Sequence, residues 1–143
     1  MAALTTERDT RKRGPHSQLD ELDLPVAASA IIYAGALVCL NAAGYAVPGA
    51  TATTLTAAGR AEETVDNGSG ANGDKRIKVF RGVFKYANLG ADQIVQADLL
   101  KQNCYVVDDQ TVAKTNGTNT RSLAGTVMDI DSDGVWVKVG AAI

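Results

Sequence analysis

The sequence predicts an all-β fold, a small barrel or sandwich behind an extended N-terminal arm, and three observations predict it. From Pro25 onward, short apolar runs alternate with turn residues at Gly35, Asn41 to Gly44, Pro48-Gly49, Asn67 to Gly73, Asn88 to Gly90, Asn116-Gly117 and Asp133-Gly134. In the last run Val135, Val137 and Val139 share one face while Trp136 and Lys138 share the other, the alternation of a half-buried strand. Only the stretch from Asp92 to Lys101 carries a helical pattern.

Residues 1–24 form the arm. Arg8, Arg11, Lys12 and Arg13 precede Gly14-Pro15, and Asp20, Glu21 and Asp23 follow, with almost no large apolar residue beyond Leu4, Leu19, Leu22 and Leu24. Such a stretch buries too little apolar surface to offset its ordering entropy, so it is expected to be mobile alone or fixed by a partner. Residues 25–143 form one β-rich domain. Ile31 to Tyr33 and Ala36 to Leu40 read as strands bracketing Gly35, and Gly44 to Val47 as a short return. Ile77 to Tyr86 reads as one strand, with Ile77, Val79 and Val83 on one face and Phe80, Phe84 and Tyr86 on the other. Gly82 in its middle marks a bulge or a close backbone approach. Asp92 to Lys101 is expected to make one or two helical turns capped at Asp92. Asp108 to Gln110 and Asp131 to Gly134 each join two apolar runs as hairpin loops.

At 143 residues and 14.9 kDa the chain buries roughly 68–70% of its unfolded surface, enough for one core and too little for two full-sized domains. Hydrophobic residues make up 45%, but 23 of them are alanine, so the core is modest. Fourteen Lys and Arg against sixteen Asp and Glu give a formal charge of −2, without the basic footprint of phosphate-backbone binding. Nucleic acid is therefore not expected as the main partner. One histidine, two cysteines and one tryptophan leave little material for zinc clusters, relay dyads or stacking platforms, and no cofactor is called for. The apolar run Val26 to Leu40 is shorter than the ~20 residues of a spanning helix, and acidic residues lie before it, so no membrane or export segment is expected. Cys39 and Cys104 sit in strand-like runs and read as buried thiols in a reducing compartment.

The motifs that resemble chemistry lack its context. Gly68-Ser69-Gly70-Ala71-Asn72-Gly73 matches the dinucleotide fingerprint, yet it neither follows a strand nor opens a helix, and it reads as a flexible loop. Asp129, Asp131 and Asp133 with Gly134 reproduce the opening of a calcium loop and are the one metal candidate. The closing position of that loop is Gly140 rather than a carboxylate, which favours a solvated Asp-Gly hairpin. His16, beside Pro15 in the arm, is not held for relay catalysis. Glu62-Glu63 and Asp108-Asp109 are neighbours on extended chain, so their carboxylates point to opposite sides rather than across a cleft. Asn67-Gly68-Ser69 and Asn116-Gly117-Thr118 fit the glycosylation acceptor pattern but read first as turns. The arm's basic group, interleaved with Glu7 and Asp9 and without aromatics, suits a protein partner better than nucleic acid.

Several blocks taken together carry a resemblance. They are Leu24-Pro25-Val26-Ala27-Ala28, Ile32-Tyr33-Ala34-Gly35-Ala36-Leu37-Val38, Gly44-Tyr45-Ala46-Val47-Pro48-Gly49, and Gly59-Arg60-Ala61-Glu62-Glu63-Thr64-Val65-Asp66-Asn67. Arg81-Gly82-Val83-Phe84-Lys85-Tyr86, Cys104 to Val112, Ala124-Gly125-Thr126-Val127 and Gly134-Val135-Trp136-Val137 continue it. In their order and spacing the chain resembles the capsid cement, or head decoration, proteins of tailed bacteriophages and Mu-like prophages over nearly everything after residue 24.

The resemblance implies a small β-rich domain, commonly trimeric, that binds the outer surface of the phage head across neighbouring major capsid protein subunits. No catalytic residues come with it. The protein would be made in the host cytoplasm and stabilise the capsid against internal DNA pressure. Arg8, Arg11, Lys12, Arg13, Leu22, Leu24 and Pro25 are the expected contacts with capsid or neighbour, because the arm cannot fold alone. The alternative is a virion-surface adhesion module binding host glycans through Asn67 to Gly73 and Asn116 to Thr120, for which exposed aromatic platforms are few. A hydrolase would need a placed histidine or a metal cluster.

Overall fold

The computed structural model of the protein describes residues 5–7, 21–99 and 103–140. Within them the fold is all-β, as expected. The strands are β1 (Glu21–Pro25), β2 (Ile31–Ile32), β3 (Leu37–Leu40), β4 (Ala46–Pro48), β5 (Thr56–Ala61) and β6 (Val65–Asp66). They continue as β7 (Arg76–Phe80), β8 (Gly82–Asn88), β9 (Asn103–Val106), β10 (Thr111–Ala113), β11 (Leu123–Asp131) and β12 (Gly134–Val139). One sheet has the order β1-β7-β5-β3-β4, β2 and β6 form a two-stranded ribbon, and β10-β8-β12-β11-β9 close into a barrel. The parallel pairing of β10 with β8 completes the barrel, whose other pairs are antiparallel.

Two cores follow from this arrangement. The barrel interior is filled by valines on alternate positions of β12 (Val135, Val137, Val139) together with Tyr86, Ile94, Val106, Val112 and Val127. The second core, around Val26, Ile32, Val38, Ile77 and Val79, lies on the other side of the five-stranded sheet. β3 serves both: Leu37 and Cys39 pack into the barrel core and Val38 into the second. β5 divides in the same way, Ala57 toward the barrel and Ala58 and Ala61 toward the second core. Sheet residues sandwiched on both faces must be small, which is where part of the alanine content goes. Both cysteines are buried and free, as their apolar runs predict.

Three sequence expectations are corrected. Ile77 to Tyr86 is two strands, because the chain breaks at Arg81 and passes from the five-stranded sheet into the barrel. Gly82 opens β8; the register shifts lie instead at Val38/Cys39 opposite β5, at Leu123/Gly125 and at Val127/Asp129. At Gly59 a Cβ would overlap the Phe80 carbonyl, so backbones there approach more closely than any side chain allows. The helical stretch is two 3-10 turns, Gly90–Asp92 and Gln96–Asp98, and Asp92 ends the first rather than capping a helix. At the end of the expected arm, Glu21 to Leu24 pair with β7 through Phe80, Val79, Lys78 and Ile77.

Candidate functional site

The expected contact residues separate into three groups. Arg8, Arg11, Lys12 and Arg13 lie outside the described residues, as does His16. Leu22 and Leu24 stand on β1, half-buried and packed against the second core. Pro25 ends β1 half-buried. What β1 presents outward is Asp23, which Arg76 holds at 3.3 Å while also donating to the Asp23 carbonyl at 2.7 Å. A charged residue on an edge strand limits indiscriminate pairing of that edge. β1 is the sheet's edge, and the chain's first twenty residues lead into it.

The calcium candidate is occupied by a lysine. Lys85 Nζ lies 2.6 Å from Asp133 Oδ1 and 3.1 Å from Asp131 Oδ2. The Asp131 carboxylate also accepts the Trp136 indole N–H at 2.9 Å, and Asp129 Oδ1 accepts the neighbouring Ile130 N–H. Asp133 and then Asp131 push the Lys85 ammonium above the usual lysine range, while Trp136 and Lys85 hold the Asp131 carboxyl below the usual carboxylate range. Among the described residues no group of three His, Cys, Asp or Glu side chains is placed to hold a metal. The hairpin is thus a surface charge cluster on the barrel's outer face, with Lys85 lying over the Trp136 ring.

The glycine-rich loop is a built turn rather than a flexible one. Asn67 is buried, and its Nδ2 donates to the carbonyls of Val26, Ala27 and Ala71. Around it Gly73 N–H donates to Val26 O, Ser29 N–H to Gly70 O, Ala28 N–H to Asn72 Oδ1 and Ala71 N–H to Asp74 Oδ2. These bonds lock the loop onto the turn after β1. The N–H groups of Gly68, Gly70, Ala71 and Gly73 are therefore spent within the protein instead of facing a phosphate.

The paired acids are edge groups. Glu62 pairs with Arg60 at 2.6 Å, and Glu63 accepts the Lys78 backbone N–H at 3.1 Å. Asp108 accepts the Gln110 N–H within its hairpin. Sequence reasoning missed two further anchors. Asp92 accepts the Thr115 N–H and hydroxyl and the Arg121 guanidinium. Buried Ser122 donates to Ala52 O and accepts Leu55 N–H, pinning the approach to β5 against the barrel. Each is a long-range contact; the sequence marks Asp92 only as a helix cap and Ser122 not at all.

Among the described residues the exposed large apolar side chains are Ile31, Tyr33, Val83, Val95 and Leu123. Tyr33, 60% exposed, stands over an open recess of about 450 Å³ that it shares with Gly35 and the tip of the β9–β10 hairpin at Asp109 and Gln110. A second recess, of about 420 Å³, runs between β5 and β11. No helix among the described residues is long and apolar enough to cross a membrane. In comparison with known proteins, no family model, curated protein or solved structure matches this chain. The outward features of the described residues are the β1 edge and exposed apolar side chains beside two shallow recesses.

Proposed function

We propose that this chain is a structural virion protein, a capsid cement protein that binds the outside of a phage head and bridges neighbouring major capsid protein subunits, as a homotrimer. The observation that carries the reading is the distribution of the sequence blocks that resemble this family. They fall on β1 and its turn, β2 to β3, β4, β5 to β6, β8, β9 to β10, β11 and β12, so the resemblance reaches both sheets and the ribbon, with β7 outside it, rather than resting on one motif.

The arrangement is compatible with that role. A domain with two small cores is expected to be modest in stability alone and to gain from subunit contacts by mass action. β1, which follows the first twenty residues in sequence, is the edge of its sheet, a position that suits contact with a neighbour. Several weak patches on one trimer hold firmly through effective concentration. Cryo-electron microscopy of expanded, undecorated heads incubated with the chain tests this: outer-surface density touching more than one capsid subunit is expected, and bare heads at saturating protein would overturn it.

A further inference from the structure

Among the described residues, β5 is paired on both sides only at its C-terminal end. Arg60 and Ala61 pair with Phe80 and Val79 of β7, while Thr56 and Ala57 pair with Leu40 and Cys39 of β3 alone. The cause is the break at Arg81, where the chain leaves the five-stranded sheet for the barrel and no other described strand takes β7's place. The unpaired part of β5 lines the 420 Å³ groove, bounded by Leu55 and Ala57 on the β5 side and by Leu123 and Gly125 on β11, with Lys138 of β12.

The groove has a definite chemistry. A strand with one unpartnered side offers backbone donors and acceptors to another extended chain. Ser122 holds the entry to β5 in place through Leu55 N–H and Ala52 O, so this edge is fixed before any partner arrives. Leu123, 49% exposed, supplies an apolar contact at the rim. A side chain at Gly125 would overlap the Lys138 carbonyl, so β11 presents bare backbone there. Lys138 pairs with no carboxylate among the described residues, whereas Lys85 on the same barrel face is held by two.

We propose that this groove receives an extended strand from another protein chain, laid along Thr56 and Ala57, with an apolar side chain against Leu123 and a carboxylate beside Lys138. The site does not rest on the phage reading: the strand comes from a different protein and is recognised by its apolar side chain and carboxylate. Pairing over about two or three residues, roughly 7–10 Å of strand, makes a weak contact singly that an assembly multiplies.

The test is an NMR titration of the isotope-labelled full chain with the peptide acetyl-Thr-Val-Asp-Val-Thr-amide. Saturable shifts confined to the amides of 55–58 and 123–126 are expected. Replacing the peptide's aspartate by lysine, or Lys138→Glu in the protein, should weaken binding about five- to tenfold. Leu123→Ser, at an exposed position, removes the apolar contact without adding charge and gives a second variant with the same expected direction. A peptide N-methylated along its backbone should not bind. Absence of these shifts at millimolar peptide, or undiminished binding of the N-methylated peptide, would overturn the proposal. So would the same shifts appearing without peptide as protein concentration rises, which would place a second copy in the groove. A spin label at Ser17→Cys that broadens those amides in the free chain would place the chain's own N-terminal segment there, with the same consequence.

Discussion

Arg121 Nη1 lies 2.9 Å from Asp92 Oδ2, joining residues 29 apart in sequence and tying the 3-10 turn after β8 to the loop that enters β11. The same carboxylate oxygen accepts the Thr115 hydroxyl at 2.6 Å and the Thr115 N–H at 2.9 Å. Asp92→Ala should therefore cost about 1–3 kcal/mol of stability, read from urea unfolding, since it removes charge-assisted bonds at a partly exposed site. The Thr115 hydroxyl foremost, with Arg121 adding to it, holds the Asp92 carboxyl below the usual carboxylate range. Its contribution is thus present above the unfolded value of about 3.9 and lost as pH falls through the lower folded value. The stabilities of wild type and Asp92→Asn should begin to draw together as pH falls below about 4 and meet only once Asp92 is protonated in the folded protein.

Asn67 carries the loop that follows β6. Replacing it by alanine leaves the Val26, Ala27 and Ala71 carbonyls without their shared donor, and a loss of about 2–3 kcal/mol is expected in thermal or urea unfolding. Asn67→Asp should be worse than alanine, because a buried carboxylate brings no N–H and faces three carbonyl oxygens. Equal stability of the aspartate variant and wild type would show that the loop is not held from this position.

Burial pushes the Cys39 and Cys104 thiols up to about 12. Neither should react with a thiol reagent in the native protein near neutral pH, and both should react once urea unfolds it. A raised folded value means that stability is intact below the unfolded value of about 8.5 and declines as pH climbs toward 12, because only the unfolded thiols ionise in that window. Unfolding midpoints measured at pH 7 and pH 10.5 should show this alkaline loss. Changing both cysteines to alanine should reduce the slope while lowering stability at every pH, through the cavities left in the barrel core.

Gly59→Ala places a methyl group against the Phe80 carbonyl, a backbone atom that cannot swing aside. The sheet must separate between β5 and β7, and a loss of about 3 kcal/mol or more is expected. Gly44→Ala, at a positive-φ turn with open space around it, should cost only about 1 kcal/mol. Similar losses at the two positions would mean that the close approach at Gly59 is absent.

The legible elements were those whose inside and outside differ in polarity. β12 alternates valine with Trp136 and Lys138, and both Asp-rich hairpins formed where their loops were marked. β5 escaped notice because Thr-Ala-Ala-Gly-Arg-Ala has no large apolar side chain; it is central because two cores press on its faces and admit only small residues. The break at Arg81 was hidden for a related reason. Ile77 and Val79 alternate into one core and Phe84 and Tyr86 into the other, so a continuous strand and two strands share one pattern. Leu22 and Leu24 were too few to read as a strand and become one only by pairing with β7, a partner more than fifty residues away. The same non-local origin hides the β5 groove, which exists because β7 departs, and not because of any local motif.

Co-sedimentation of the purified chain with expanded, undecorated phage heads is the decisive measurement. Saturable binding at a fixed ratio to capsid subunits, with light scattering of the free chain showing whether the trimer forms before attachment, is the expected outcome. Failure to pellet with heads competent to bind a decoration protein would remove the capsid role and turn attention to virion-surface adhesion.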